Sequence, residues 1–173
     1  MFNLLVTTYR NMETEASSEM HALLAELGDE QSEIDYTNVS GLLTARTILE
    51  PLEVVQKIGK MVRDEPWKLR YVLRLIPIEV VVNTDLDSIK DTTLKLASRI
   101  KDNETFRITV EKRGTNISSR DVIETVASVI DRDVSLKEHD WIVLVEIIGK
   151  ETGISVIKAN SIFSAVKVKR ESP

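Results

Sequence analysis

Phe106-Arg107-Ile108-Thr109-Val110-Glu111-Lys112-Arg113-Gly114-Thr115-Asn116-Ile117-Ser118-Ser119-Arg120-Asp121-Val122-Ile123 carries three structural instructions in one run. Phe106, Ile108 and Val110 alternate with Arg107, Thr109 and Glu111, the two-residue period of a half-buried strand. A polar link, Lys112–Asn116, follows. Ser118 then stands three residues before Asp121, with Ile117 and Val122 flanking the pair, which is the spacing of a capping box and hydrophobic staple. Val122, Ile123, Val126, Ala127, Val129 and Ile130 continue that helix. Strand, basic exit and capped helix in immediate succession predict an α+β fold.

Working outward, Pro77–Val82 reads as a strand and Asn83-Thr84-Asp85 as a helix start. The helix runs over Leu86–Ile100 on Leu86, Ile89, Thr93, Leu96, Ala97 and Ile100. Downstream, Trp141–Ile148 is a strongly apolar strand, Gly149–Gly153 a turn and Ile154–Ile157 its partner strand. Upstream, Phe2–Tyr9 is a strand. Met12–Leu27 is a helix with its stripe on Ala16, Met20, Leu23, Leu24 and Leu27, stopped by Gly28. Ile34–Val39 and Leu42–Ile48 form a hairpin around Ser40-Gly41, Pro51 opens a helix over Leu52–Val62, and Trp67–Ile76 is a strand. The order βαββαβ over residues 1–76 predicts a ferredoxin-like domain, with a second domain over residues 77–173. That fold by itself carries no particular chemistry.

The 173 residues hold 23 Lys plus Arg against 28 Asp plus Glu, two His and no Cys, for a net charge of −5. Without Cys there is no disulfide framework, thiolate zinc site or Cys nucleophile. The N-terminus has no basic leader and no apolar run approaches the ~20 residues of a spanning helix, so a cytoplasmic protein without membrane contact is expected. The charge is unevenly placed. Residues 1–45 hold eight acids and one base, a balance of −7, leaving +2 for the rest. Lys57–Arg74 has six bases to two acids, Arg99–Arg120 six to three and Val156–Pro173 four to one. An acidic element and separate basic patches follow from that division.

No G-x-S-x-G, P-loop, G-x-G-x-x-G or paired-His pattern occurs. His21 and His139 have no partner motif and read as ordinary surface or capping residues; Trp67 and Trp141, at strand starts, read as core or domain-interface residues. No catalytic residue, metal ligand or cofactor site is expected. What stands out is the link itself. Lys112 and Arg113 leave a strand, and Thr115, Asn116, Ser118, Ser119 and Arg120 surround a helix N-terminus, where unpaired N–H groups and the dipole favour anions such as phosphates. A capped helix after a surface strand accounts for the same residues without a ligand. Lys150 and Lys158 are added candidates on local chemistry.

Phe106–Arg113 and Ser119–Ile123, with Trp141–Gly149 and Gly153–Val156, resemble the THUMP domain, an RNA-binding domain of tRNA thiouridine synthetases, tRNA methyltransferases and related enzymes. A ferredoxin-like N-terminal domain is its usual companion. Arg70–Pro77 and Phe106–Arg113 resemble most the stand-alone adaptor that works with a tRNA cytidine acetyltransferase forming N(4)-acetylcytidine in the D-arm. The resemblance implies a non-enzymatic, tRNA-binding adaptor that docks near the acceptor stem and 3′ end, with the reaction carried by a separate acetyltransferase. With the sequence ending at Pro173, no further catalytic domain is expected. Lys112, Arg113, Ser119 and Arg120 are the positions that match the family. The competing expectation is a ferredoxin-like regulatory or oligomerisation module that binds a small ligand or a protein; an unrecognised RNA-acting enzyme is the third.

Overall fold

Leu4–Thr8 (β1) is apolar and β-branched, and it lies at the centre of the first of two five-stranded sheets in the computed structural model, which describes residues 1–171. Glu13–Glu26 (α1) buries Ala16, Met20, Leu23 and Leu24, the expected stripe. Glu33–Tyr36 (β2) and Leu42–Arg46 (β3) form the hairpin. Gly41 must be glycine here: its φ is 77°, and a Cβ would stand 2.7 Å from the Thr8 carbonyl oxygen. Pro51–Asp64 (α2) opens on its proline, and the Glu50 side chain accepts the Leu52 N–H.

The next strand differs from expectation. Pro66–Lys68 forms a 3₁₀ turn and the strand is Val72–Pro77 (β4). Pro66 sets the φ of a turn, and the Glu19 carboxylate takes the N–H groups of Arg70, Tyr71 and Val72 from outside the ladder, at 2.9, 3.1 and 2.9 Å. Trp67 is consequently 69% exposed, not a core residue.

Val80–Asn83 (β5), Leu86–Ala97 (α3), Thr105–Arg113 (β6), Ser119–Val129 (α4), Asp133–Val134 (β7), Trp141–Ile148 (β8) and Glu151–Lys158 (β9) follow. Phe163–Ser164 (β10) and Ala165–Glu171 (α5) end the described chain. The sheets run β10-β4-β1-β3-β2 and β5-β9-β8-β6-β7. All pairs of the first are antiparallel, whereas β6 is parallel to both β7 and β8 in the second.

The chain divides into two compact units, one of Met1–Ile78 with Asn160–Pro173, the other Glu79–Ala159. This corrects the boundary at 76/77 and a second domain that continues to the C-terminus. Pro77 ends β4, opposite Leu4, rather than opening the next strand. The late segment returns to the first unit because Phe163 pairs with Leu75 and Phe163, Ala165 and Val168 enter its core. The first core joins Leu4, Val6, Leu43 and Leu75 to the buried faces of α1 and α2. The second joins Ile89, Phe106, Val122, Val126, Val143, Val145, Ile154 and Val156, so α3 and α4 cover one face of that sheet. No helix among the described residues is long and apolar enough to cross a membrane.

Candidate nucleic-acid interface

Because β6 and β8 are parallel and β9 turns back from β8, one end of the second sheet gathers the last residues of β5, β6 and β8 and the first of β9. Lys112 and Arg113 stand opposite Ile147 and Ile148, and Asn83 opposite Glu151. The β8–β9 connection is a two-residue turn, Gly149-Lys150, shorter than the expected five. Gly149 has φ 59°, the left-handed conformation such turns use, and its N–H donates to the Arg113 carbonyl at 2.8 Å. The Thr84 N–H donates to the Lys150 carbonyl at 3.0 Å, and the Thr84 and Thr152 hydroxyls lie 2.8 Å apart. Both long helices of the unit begin at this end, directly after β5 and after the β6 link.

Local hydrogen bonds hold the link. The Lys112 ammonium donates to the Ile117 carbonyl at 3.1 Å, and the Thr115 hydroxyl accepts the Ile117 N–H at 3.3 Å. Ser118 is the N-cap, its hydroxyl accepting the Asp121 N–H at 3.2 Å, as the spacing predicts. The N-cap of α3 is Asp85, whose carboxylate accepts from the Ser88 N–H at 2.7 Å and the Ser88 hydroxyl at 2.9 Å. The Ser88 N–H, then the hydroxyl, holds that carboxyl below its ordinary range.

The cations here differ in what they are free to do. Arg113 is half-buried and its guanidinium is 2.6 Å from the carboxylate of Glu146, which is 1% exposed. Its charge is therefore spent on an internal partner. Arg120 is exposed and pairs with Glu124 at 2.9 Å, one helical turn on, an arrangement weak enough for a phosphate to replace. Lys112 and Lys150 are exposed and enter no ion pair among the described residues. Asn116 is exposed and Ser119 half-exposed beside them.

Eight of the nine residues named from sequence thus share one end of the unit. Lys158 does not. It closes β9 opposite Trp141, eight residues and so ~26 Å along the strand from the turn. Its ammonium lies 4.0 Å above the Trp141 ring and 3.1 Å from the Glu104 carboxylate. The Lys101 N–H, the Trp141 side chain and Lys158 hold the Glu104 carboxyl down at about 2. Asn83 and Thr84 were read only as a helix start; they join the site because β5 pairs with β9, a pairing no local pattern announces. A ring nitrogen of His21 lies 3.0 Å from the Ser32 hydroxyl. Among the described residues no three His, Cys, Asp or Glu side chains form a metal cluster.

Residues 83–157 match the family model of the THUMP domain, which spans the whole of this end. The chain is 26% identical over 124 residues to the uncharacterized protein MJ0421 of Methanocaldococcus jannaschii, covering 69% of this chain and 34% of that protein. It shares its fold with three solved structures at low identity. PH1313 of Pyrococcus horikoshii has a TM-score of 0.68 at 19% identity over 91% of this chain and 55% of that one. A 4-thiouridine synthetase solved with RNA and ATP has 0.60 at 12% over 95% and 42%. TrmN of Thermus thermophilus has 0.56 at 18% over 90% and 45%. The chain therefore spans about a third to a half of the proteins it resembles.

Proposed function

We propose that the chain is a cytoplasmic tRNA-binding adaptor that grips the RNA backbone at the β6–α4 end of its THUMP segment and presents the tRNA to a separate modifying enzyme. The observation that carries this reading is the convergence of Lys112, Lys150, Arg120 and the hydroxyls and amide of the link on one exposed end, inside the segment that matches an RNA-binding domain. Lysines on flexible stems and a helix start suit phosphate contacts, which position an RNA without reading its bases. The fold is shared with a synthetase solved with RNA, and the order β4-β1-β3-β2 with helices on one face supports a ferredoxin-like first unit. Thr115, Asn116, Ser118 and Ser119 supply short polar contacts, whereas Arg113 acts through Glu146 to fix the strand end. The resemblance of Arg70–Pro77 and Phe106–Arg113 makes a tRNA cytidine acetyltransferase the favoured partner, with the acceptor stem and 3′ end as the docking region.

The purified chain should bind tRNA with an affinity that falls steeply with salt. Lys112→Ala combined with Lys150→Ala should lower the slope of log K against log salt by about 1.5, since each phosphate contact contributes roughly 0.7–0.9. An unchanged slope overturns the site. Loss of the encoding gene should remove N(4)-acetylcytidine from bulk tRNA. Loss of a thiolated or methylated nucleoside instead would assign a different partner, and modification by the chain alone would overturn the adaptor role.

A further inference from the structure

Two basic runs that are far apart in the sequence meet in the first unit. Residues 57–74 carry six bases to two acids, and the described residues after Asn160 add Lys167, Lys169 and Arg170 against Glu171. The fold joins them. The Lys169 ammonium donates to the Leu69 carbonyl at 2.7 Å across 100 residues of sequence, and β10 pairs with β4 so that α5 packs against α2. At the seam, the Arg63 guanidinium and the Phe163 ring both lie against Gly59 of α2. An added Cβ there would lie 3.9 Å from that guanidinium and 3.7 Å from the Phe163 ring, which stands two residues before α5 begins. Lys60, Arg63, Lys167 and Arg170 are all exposed, and none is in an ion pair among the described residues. By contrast Lys68, in the same run, is neutralised by Glu26 and Glu65 at 3.1 and 3.3 Å. In a chain of net charge −5, a face of unneutralised cations is not explained by composition.

We infer that the α2–α5 face of the first unit, through Lys60, Arg63, Lys167 and Arg170, is a second contact surface for the sugar–phosphate backbone of RNA, separate from the THUMP segment. The inference rests on the RNA-binding reading above. Charge complementarity selects the occupant. Four exposed cations with one exposed aliphatic neighbour, Val166 at 50%, lack the apolar centre around which protein interfaces are built. They suit a polyanion. Trp67, 69% exposed two residues before the Leu69 carbonyl that Lys169 holds, offers an indole face of the kind unpaired bases stack on.

The test compares three full-length proteins on tRNA across a salt series: wild type, a variant with Lys60→Ala, Arg63→Ala, Lys167→Ala and Arg170→Ala, and the Lys112→Ala, Lys150→Ala variant. All the altered side chains are exposed, and a matched circular dichroism spectrum and melting temperature confirm folding. The fourfold variant should lower the salt slope by about 3 and weaken binding at 0.1 M salt at least ~10-fold, with the THUMP-segment sites intact. Wild-type binding by the fourfold variant, with weakened binding by the THUMP-segment variant, overturns this surface and leaves the proposed function standing. No binding of tRNA by the wild type overturns both. Binding of polyglutamate at equal charge as tightly as RNA, lost in the fourfold variant, overturns the RNA assignment in favour of an acidic protein.

Discussion

Two charged residues of the second unit illustrate how a site and a scaffold divide the same residue types. Glu104 is half-buried and fastened by the Lys101 N–H at 2.9 Å and the Lys158 ammonium at 3.1 Å, with its carboxyl at about 2 against an ordinary 4.5. The folded protein thus binds a proton there less readily than the unfolded chain does, so the contact stabilises above pH 4.5 and its contribution is lost as pH falls towards 2. Glu104→Gln should lower the urea midpoint at pH 7 and flatten its dependence between pH 4.5 and 2; an NMR titration of Glu104 with a midpoint near 4.5 would contradict this. Arg113 matters in a different way. Removing it takes a charge-assisted hydrogen bond from the buried Glu146 carboxylate, so Arg113→Ala should cost about 2 kcal/mol. Lys112→Ala, whose ammonium reaches only a carbonyl on the surface, should stay within about 0.5 kcal/mol. Urea melts of the two variants at pH 7 check the contrast. Adjacent basic residues that look interchangeable in sequence are therefore held differently, Arg113 by a buried carboxylate and Lys112 by a surface carbonyl.

At the scale of elements, what periodicity could show was legible and what depends on distant partners was not. The stripes Ala16–Met20–Leu23 and Val122–Val126, and the alternation of β6, place those elements because each buries one face against one core. The start of β4 was misplaced by five residues because its placement depends on a carboxylate 51 to 53 positions away. Glu19, one of the eight acids of the first 45 residues, accepts three backbone N–H groups at that strand's start, from Arg70, Tyr71 and Val72. Glu13 is likewise engaged, accepting the Gly41 N–H at 2.7 Å, a bond that lowers its pKa. Glu19→Ala should therefore destabilise by about 2 kcal/mol, whereas Glu15→Ala should not. Amide exchange should quicken at Arg70–Val72 in the first variant; unchanged protection there would refute the capping role. At the site, the β6 link and the Ser118 cap were readable locally. Asn83 and Thr84 joined them, and Lys158 left them, only through the order β5-β9-β8-β6.

For the molecule as a whole, the first unit is discontinuous in sequence, and that carries an energetic consequence. Phe163, Ala165 and Val168 complete its core from beyond the second unit. Burying a phenylalanine or valine side chain contributes about 1.5–3 kcal/mol, an upper value because unfolded chains already bury some surface. Ending the chain after Ala159 should therefore remove roughly 3–5 kcal/mol from the first unit, while the second, whose core holds no residue from that segment, keeps its own. It would also expose the edge of β4 that Phe163 and Ser164 cover, an invitation to pair with other chains. Hydrogen exchange of the truncated protein should show lost protection in β4 and α2 and retained protection in β6, β8 and β9. Equal loss across both units would refute the division. The same truncation removes Lys167 and Arg170, so tRNA binding should weaken beyond the effect of unfolding alone. Restoring the segment with Phe163 and Val168 intact but its lysines and arginine replaced by Gln should recover protection without recovering the salt slope, which separates the segment's packing from its charge.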